Sequence, residues 1–462
     1  MSQIVLEDTL SEFFASEDTH TSSSSNGSIL NTENKPDKIC IFQFPTNEPN
    51  RRYIFQDSRT TPTISSAISG LILSPQRQAW MLGGDLSVVF IADEGIPERS
   101  TWEKVQRNLE ETLQSISYST RYKALFSHSS SSLGRLVGDA TIIPLLPSDD
   151  LVSLKHYIDP DTHYEILSKR AIAFSGLPTP AARLIDFAPT PKTSIDTVIA
   201  NAVSTIQHQK LPFVLKLNST WGSLGVYVID SEPSRTAAIK DIEPLLRDSL
   251  PSLNATNAHL HPFSLVLMDY VEGSCSAVNF YVRRDGTAKF SSATTQIFED
   301  EMWSGGYIEY DIQSDYAKEY EAVLQQTAQY LQSRGYHGPC GVDVITDKEG
   351  KHHVIDINAR PTGTFVLGCL RPHFVDGLGI GFASLMICIE FHGPMLLFRE
   401  RFGKELGAGL IIVLAWHEDT ERGNAYASLV VGGESKILLQ ERVKGVEEWA
   451  RRAGCERLSA QL

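Results

Sequence analysis

Apolar and polar positions alternate with strand-like spacing at both ends of the segment Gly341–Gly363. GVDVI and HHVIDIN have the spacing of two strands, and the polar run Asp347–Gly350 supplies a turn between them. Side chains two apart in a strand share a face, so Asp356 and Asn358 point the same way, and Asp343 can lie across from them on the partner strand. The pattern predicts a β-hairpin with three oxygen-bearing side chains on one face.

The chain before this hairpin begins with an alternation of strands and helices. Continuous apolar runs at Lys38–Phe44, Leu86–Asp93 and Ala140–Pro147 are predicted strands, and a capping-box pattern at Ser100 starts a helix with apolar residues at helical spacing. Strands alternating with capped helices are typical of α/β folds. We therefore predict an N-terminal α/β domain at residues 38–150.

The pattern of the rest of the chain predicts α+β structure. Residues 151–371 combine short strands with an amphipathic helix at 314–335, and residues 372–462 form a C-terminal α+β segment. Within that segment the apolar run Leu378–Phe391 is predicted to be a buried helix, since it is too short to span a membrane. Residues 1–37 are predicted to be a disordered tail, because their Ser-, Thr- and Asn-rich part can bury too little apolar surface to offset the entropy of ordering.

Composition and charge narrow the function. A chain of 462 residues with 42% hydrophobic and 21% charged residues is typical of a soluble globular protein with about two or three domains. The net charge of −15 and the lack of a basic run argue against nucleic-acid binding. The six cysteines have neither zinc-ligand nor disulfide-framework spacing. The N-terminal residues lack the features of a signal peptide, so a cytoplasmic location without membrane association is expected.

The predicted hairpin carries the first candidate chemistry. Two carboxylates and an amide oxygen on one face are the hard ligands that Mg²⁺ prefers, together with phosphate and water oxygens. Arg360 follows on the same face and would place a cation beside that metal. The alternative is a hairpin with a solvated acidic face, which is disfavoured here by the apolar character of the neighbouring residues.

A second candidate lies at Leu211–Ile229, where a strand carrying Lys216 leads through the small-residue loop Ser219–Gly225 into another strand. Small residues let backbone N–H groups approach phosphate oxygens, and the lysine would hold positive charge over them. A plain glycine hairpin explains the same pattern equally well. Upstream, Lys169 lies on a predicted helix that ends near Gly176, and downstream a buried strand ends at Glu272 with backbone groups suited to reading an adenine edge.

The order of these segments resembles the ATP-grasp superfamily. The resemblance implies a central ATP-grasp fold of two α+β subdomains that clasp ATP, preceded by the α/β pre-ATP-grasp domain. It assigns Asp343, Asp356 and Asn358 to two Mg²⁺ ions, with Mn²⁺ as an alternative metal, and gives Arg360 and Lys216 catalytic roles beside the transferred phosphoryl group. The implied ATP-binding residues are Lys169, Lys216, Ser219, Thr220, Gly222, Ser223, Gly225, Met268, Asp269, Tyr270, Val271 and Glu272.

The chain departs from the family pattern at two positions. Asp356 stands where Glu is usual, which shortens the metal-binding side chain by one methylene. Cys275 stands where many members have a ribose-binding Glu, and Glu272 is a candidate substitute. The glycine-containing segment Thr294–Asp311 is either a lid over the substrate or a solvated loop.

The resemblance implies a ligase that activates a carboxylate as an acyl phosphate, joins it to an amine and releases ADP and phosphate. The layout of the whole chain is similar to pheganomycin-type peptide ligases of microbial secondary metabolism. That similarity implies small-molecule substrates such as amino acids or a peptide, and is compatible with a homodimer. Two alternatives stay open: a phosphotransferase of the same fold, and a nucleotide-binding protein without turnover.

Overall fold

A computed structural model describes residues 3–21, 37–42, 51–55, 68–91, 99–127, 129–220, 224–299 and 302–460. Within these ranges the strands form three sheets, one parallel and two antiparallel. The predicted combination of an α/β N-terminal region with α+β structure in the rest of the chain is therefore confirmed. None of the helices in the described ranges combines the length and apolar character needed to cross a bilayer.

The N-terminal sheet is parallel with strand order β3-β2-β1-β4. Apart from the partly exposed Lys38 at the start of β1, its central strands are buried because both faces are covered, as parallel sheets require. All three predicted strands of this region are present, although residues 43–44 and 92–93 of the predicted runs lie outside the described ranges. The strands are β1 Lys38–Ile41, β2 Ser87–Ile91, β3 Lys123–Ser127 and β4 Thr141–Pro144.

Two antiparallel sheets build the remainder of the protein. The smaller has the order β5-β8-β6-β7, and the larger has the order β13-β12-β9-β10-β11-β14-β16-β15. The small sheet comprises β5 Ala182–Ile185, β6 Phe213–Leu217, β7 Val226–Ile229 and β8 Leu265–Asp269. The large sheet comprises β9 Gly273–Val282, β10 Ala288–Glu299, β11 Met302–Glu309, β12 Gly338–Asp347, β13 His352–Asn358, β14 Phe382–His392, β15 Ile411–Asp419 and β16 Asn424–Gly433.

Helices pack on all three sheets. The small sheet buries its apolar face against the helices Ile195–His208 (α7) and Glu232–Ser249 (α8). The C-terminal helix Lys436–Ala460 (α14) packs against β14 and β16 of the large sheet. The α-helices are α1 Leu10–Thr21, α2 Ser74–Ala79, α3 Arg99–Leu113, α4 Leu133–Val137, α5 Pro160–Ile166, α6 Lys169–Ala173, α7 Ile195–His208, α8 Glu232–Ser249, α9 Gln313–Glu319, α10 Glu321–Ser333, α11 Phe365–Cys369, α12 Met395–Arg401, α13 Gly403–Gly407 and α14 Lys436–Ala460. Two π-helical turns occur at Ser69–Leu73 and Pro372–Gly377, and short 3₁₀ turns at Tyr118–Thr120, Ser130–Ser132, Asp149–Leu151, Lys192–Ser194, Leu250–Ser252 and Ala258–Leu260.

The prediction of disorder for residues 1–37 is wrong for residues 3–21. This segment contains α1 and packs into the main core, where Phe13 stacks on Tyr281 with ring centroids 4.5 Å apart. The Tyr281 hydroxyl donates to the backbone oxygen of Asp8, and Lys289 pairs with the Asp8 carboxylate at 2.6 Å. The Ser-rich stretch at 22–36 lies outside the described residues. The error arose because the apolar residues of the tail are few and bind a surface distant in sequence.

The apolar run Leu378–Phe391 is not a buried helix. Residues from Phe382 onward form β14, which pairs with β11 on one side and β16 on the other. A continuous apolar run is compatible with either a buried helix or a strand buried on both faces, and periodicity alone does not separate them. The pairing also shows that the boundary expected at 371 precedes strands that belong to the same large sheet as the hairpin.

The described part of the segment Thr294–Asp311, which leaves out residues 300–301, is neither a lid nor a solvated loop. It supplies the end of β10 and all of β11, in the middle of the large sheet. Its glycines allow close packing rather than hinge motion, because a Cβ on Gly305 would lie 2.0 Å from the backbone oxygen of Leu385. The polar residues of β10 concealed the strand in the sequence, since they face other polar groups of the protein rather than an apolar core.

Candidate active site

The predicted hairpin is formed by β12 and β13, with Asp343 directly opposite Asp356 and Gly341 opposite Asn358. The turn at Asp347–Gly350 is closed by a hydrogen bond of 3.0 Å from the Gly350 N–H to the Asp347 backbone oxygen. One face of the hairpin is buried core, while the two opposed carboxylates face a cleft between the small and large sheets, where they meet lysines. The alternative of a solvated acidic face is therefore excluded.

Lys169 reaches this hairpin from the first turn of α6. The Ser168 side chain accepts a hydrogen bond of 3.1 Å from the Ala171 N–H and so fixes the helix start. The Lys169 ammonium lies 3.1 Å from the Asp356 carboxylate and 3.1 Å from the Thr220 backbone oxygen, to which it donates. Only 5% of Lys169 is exposed, so this cation is held between the β12–β13 hairpin and the predicted phosphate loop.

Lys216 approaches the same carboxylates from β6. Its ammonium donates to the backbone oxygen of Ile355 at 2.7 Å. This oxygen is available because the β12–β13 register shifts between Asp343 and Val344, which leaves Ile355 outside the regular pairing. Burial lowers the pKa of Lys216, and the nearby carboxylates oppose that shift. Both predicted lysines therefore meet at the hairpin although they are distant from it in sequence.

Arg360 is held in the loop that follows β13. One guanidinium nitrogen donates to the Asn358 side-chain oxygen at 2.9 Å, and another donates to the Pro361 backbone oxygen at 3.1 Å. Burial lowers the pKa of Arg360, and the Asp356 and Asp343 charges oppose that effect. The structure therefore brings Arg360 and Asn358 together beside the carboxylate pair.

Two residues that sequence reasoning missed complete the constellation. Gln296 of β10 donates to the Asp343 carboxylate at 2.7 Å. Asn218 is fully buried, and its side-chain and backbone oxygens accept hydrogen bonds from the Arg170 and Lys169 N–H groups at 2.8 and 3.0 Å. Asn218 was detectable as a polar residue at the end of a buried strand, whereas Gln296 was placed in a loop.

Lys169, Lys216 and Arg360 surround the two hairpin carboxylates, so the protein cations outnumber the carboxylates at this place. Burial and the neighbouring Asp356 raise the pKa of Asp343 to about 7, while Lys169 and Lys216 act in the opposite direction. The described residues contain no cluster of three or more His, Cys, Asp or Glu side chains that could hold a metal by themselves. Two carboxylates and one amide oxygen nonetheless fit Mg²⁺, which takes a few protein oxygens and completes its shell with phosphate and water.

The predicted phosphate loop connects β6 and β7, as the sequence indicated. Ser219 is buried at the start of the loop, and its hydroxyl lies within reach of the Tyr164 hydroxyl. Gly225 adopts a φ of 67°, and a Cβ there would lie 2.6 Å from the Leu217 side chain. Thr220 contributes its backbone oxygen to Lys169, whereas the predicted residues Gly222 and Ser223 lie outside the described ranges.

The predicted adenine segment is the crossover between the two antiparallel sheets. Met268 and Asp269 end β8 of the small sheet, and the chain passes through Tyr270, Val271 and Glu272 to enter β9 of the large sheet at Gly273. Met268 is buried, and 42% of Tyr270 is exposed. A Cβ on Gly273 would lie 2.2 Å from the Thr346 backbone oxygen on the paired strand β12, so the crossover enters the large sheet directly beside the hairpin.

Cys275, at the position where a ribose-binding Glu is usual, and Glu272, its candidate substitute, differ in their surroundings. Glu272 is exposed and pairs with Lys348 at 2.7 Å on the hairpin turn. Cys275 is exposed on β9, on the same side as Asp343. A cysteine side chain is neutral at physiological pH, whereas Glu272 is an anionic group at this end of the cleft.

Comparisons with known proteins agree with this architecture. Residues 186–364 match the ATP-grasp domain family. N5-carboxyaminoimidazole synthetase from Staphylococcus aureus, solved with ADP, superposes with a TM-score of 0.51 at 11% identity, covering 91% of this chain and 100% of that one. A search of curated protein sequences gave no significant match.

Two further solved structures have the same fold. L-amino acid ligase from Bacillus licheniformis has a TM-score of 0.50 at 12% identity, covering 90% of this chain and 97% of that one. Phosphoribosylamine–glycine ligase from Thermotoga maritima has a TM-score of 0.50 at 12% identity, with coverages of 89% and 96%. The protein thus contains an ATP-grasp domain within an ATP-grasp fold, and at these identities the likeness extends to the fold alone.

Proposed function

We propose that the protein is an ATP-dependent carboxylate–amine ligase. The observation that carries this proposal is the convergence of Lys169, Lys216 and Arg360 on the Asp343–Asp356 pair, from three separate parts of the chain. Such a site neutralises and positions phosphates, and the constellation includes no nucleophile activated by a base. Phosphoryl transfer depends mainly on positioning and charge neutralisation.

The residues have separate tasks in this reaction. Lys169 and Lys216 bind the ATP phosphates, and Asp343, Asp356 and Asn358 hold Mg²⁺, with two ions expected and Mn²⁺ as a substitute. When bound, the metal neutralises the triphosphate charge. Arg360 orients the substrate carboxylate and stabilises the acyl phosphate formed from it.

Two bond exchanges complete the proposed cycle. A carboxylate oxygen of the substrate attacks the γ-phosphorus, and the bond from that phosphorus to the β–γ bridging oxygen breaks to release ADP. The amine nitrogen then attacks the acyl carbon, the bond from that carbon to the phosphate oxygen breaks, and the nitrogen loses a proton. The products are an amide, ADP and phosphate.

The proposed substrates are small molecules, with amino acids or a peptide as the preferred class. The similar folds include a ligase named for L-amino acids and another that joins glycine to an amine, which supports a search among amino acids first. The whole-chain resemblance to pheganomycin-type enzymes supports peptide-bond formation in secondary metabolism as the biological role.

The test is to incubate the protein with MgATP and pools of amino acids and small carboxylates, then measure nucleotide and phosphate. Release of ADP and phosphate that requires both an acid and an amine supports the ligase. Release of AMP and pyrophosphate contradicts it. A stable phosphorylated product without free phosphate would instead identify a phosphotransferase, and MgATP binding without turnover would identify a nucleotide-binding protein.

A further inference from the structure

Three consecutive polar side chains of α2 are buried without full hydrogen bonding. The exposed fractions of Gln76, Arg77 and Gln78 are 0%, 5% and 2%. The Gln76 amide nitrogen, the Gln78 amide oxygen and two of the three Arg77 guanidinium nitrogens have no hydrogen-bond partner. The third guanidinium nitrogen of Arg77 makes one long contact of 3.3 Å with the Ser74 hydroxyl.

Arg77 forms no ion pair with any residue in the described parts of the chain. Removal of a charge from water is strongly unfavourable unless a partner compensates for it. Burial lowers the pKa of Arg77 to about 10, which still leaves the guanidinium charged at neutral pH. A buried cation with free donors is therefore suited to an anionic ligand, which can accept a charge-assisted hydrogen bond from a free nitrogen.

The position of Arg77 connects it to the active site. The guanidinium lies 5.8 Å from the centroid of the Trp303 ring on β11. The far edge of the same ring packs on Gly363, where a Cβ would lie 2.2 Å from the ring carbon Cη2. Gly363 closes the loop that carries Arg360 and follows the metal-binding strand. A single indole ring thus separates the unpaired guanidinium from the loop that holds the reacting groups.

An irregular strand borders the same place. The pairing of β14 with β16 shifts between Met386 and Ile389, and Cys388 within this bulge has a φ of 49°. The Cys388 thiol is close enough to oppose the lowering of the Arg77 pKa. Left-handed backbone at a non-glycine residue is costly and is concentrated at functional sites. The bulge therefore supports a built binding site rather than a packing accident.

We propose that Arg77 binds the free carboxylate of the amine substrate, which makes that substrate an amino acid. This inference rests on the proposed ligase function and names the class of its amine. The carboxylate at Arg77 is not the one that reacts, because the reacting carboxylate must reach the γ-phosphorus beside Arg360 and the metal hairpin. An amino acid bound through its carboxylate presents its amine toward the loop on the other side of Trp303.

The experiment compares free amino acids with their carboxamides as amine substrates, at saturating MgATP. The variants are Arg77→Met, which removes the charge at similar length, and Arg77→Lys, which keeps it. For the wild type we expect a clear preference for free amino acids. For Arg77→Met we expect the KM of the free amino acid to rise about 10- to 100-fold, the range for a lost hydrogen bond to a charged group, with the KM values of ATP and of carboxamides little changed.

The matched control is Arg235→Met. Arg235 is also buried, but its guanidinium donates to the backbone oxygens of Gln207 and Gln209, away from the cleft. This variant should lose stability and keep the preference for free amino acids. A purely structural role for Arg77 would give the same behaviour in Arg77→Met and would overturn the proposal. Equal use of carboxamides and free amino acids by the wild type would also overturn it, even where Arg77→Met fails to fold.

A binding measurement separates this proposal from the ligase proposal. Thermal unfolding with MgADP is followed with each amino acid and each carboxamide, so no turnover is required. Stabilisation by free amino acids that depends on Arg77, without ADP release in any assay, would retain the Arg77 site and refute the ligase. ADP release without any carboxylate preference would retain the ligase and refute the Arg77 site.

Discussion

Two regions of this protein bury positive charge, and they do so in opposite ways. At the β12–β13 hairpin, Lys169 is paired with Asp356, and Lys216 donates to the Ile355 backbone oxygen. In α2, Arg77 is equally buried but has two guanidinium nitrogens without partners. The hairpin cations are compensated within the chain, whereas Arg77 has no anionic partner among the described residues.

The difference indicates how each region would bind its proposed ligand. At the hairpin, the proposed phosphate and metal would replace contacts that already exist, so binding would exchange one set of ionic partners for another. At Arg77, an anion would satisfy donors that are otherwise unsatisfied, so binding gains a full ion pair. Substitutions that unpair the hairpin charges, or remove them, test whether this contrast is real.

The largest effect is expected from Asp356→Ala. This change removes a proposed metal ligand and the ionic partner of Lys169, which makes the hairpin resemble the Arg77 region. Product formation should fall by about 10³-fold or more, the upper range for loss of a group that stabilises transition-state charge. The stability loss should stay below the approximately 3–5 kcal/mol typical of breaking a buried pair, because repulsion with Asp343 is relieved.

Kinetics and thermal unfolding of the same preparation measure both quantities for Asp356→Ala. The matched control is Glu349→Ala, an exposed carboxylate on the turn of the same hairpin, which should leave activity and stability unchanged. Full activity in Asp356→Ala would mean that the hairpin is only structural. Asn358→Ala should likewise abolish product with the fold retained.

The next effect is expected from Lys216→Met. The hydrogen-bond partner of Lys216 is a backbone oxygen. Removing the ammonium therefore does not break a direct ion pair with a carboxylate. Stability should change little, while the KM for ATP should rise about 10- to 100-fold if the ammonium binds a phosphate. Initial-rate kinetics with varied MgATP measures this, with exposed Lys351→Met as the control. An unchanged KM would remove Lys216 from the nucleotide site.

The hairpin and its lysines were predictable because the signals are local. Alternation with period two, a polar turn and the strand-borne Lys216 fix the faces of Asp343, Asp356 and Asn358 without knowledge of the rest of the fold. The order of the segments then indicated that Lys169 and Lys216 would meet them. The hydrogen bonds of the structure bear out that convergence.

The remaining features depend on contacts between distant segments. Gln296 lies in a strand whose polar residues face the site, so its sequence lacks the apolar alternation of a half-buried strand. The run that contains β14 is almost entirely apolar, so it shows neither the helical nor the strand periodicity of apolar and polar residues. The proximity of Arg77 to the site follows only from its contact with Trp303, which is far away in the chain and adjacent in space. Local patterns do not encode these juxtapositions.

A smaller, graded effect is expected from the protonation of Asp343. Its pKa is raised from 3.8 to about 7 in the folded protein, so the folded state binds the proton more tightly than the unfolded state. Metal-free stability should therefore fall as pH rises from about 4 to 7. The apparent Mg²⁺ affinity should rise up to about tenfold per pH unit below 7 and level off above it, because the metal requires the carboxylate.

Asp343→Asn isolates this contribution. The variant should lack the pH-dependent loss of stability, be more stable than the wild type at pH 8 without metal, and bind Mg²⁺ weakly at every pH. Thermal unfolding at pH 5 and pH 8, together with Mg²⁺ titrations, gives the comparison. A difference in stability between wild type and variant that is independent of pH would show that Asp343 does not titrate in this range.

The smallest effect is expected from Glu272→Ala at the exposed end of the cleft. Its ion pair with Lys348 is exposed on both sides, and such pairs contribute little to stability, so stability should hardly change. If Glu272 binds the ATP ribose, the KM for ATP should rise about 5- to 10-fold, as expected for one hydrogen bond to a charged group in a solvated position. Lys348→Ala breaks the same ion pair but keeps the carboxylate, so its KM for ATP should stay at the wild-type value. Equal KM values in both variants would exclude Glu272 from ribose binding and leave the neutral Cys275 at that place. Asp269 would then be the remaining carboxylate of the crossover that could take part in nucleotide binding.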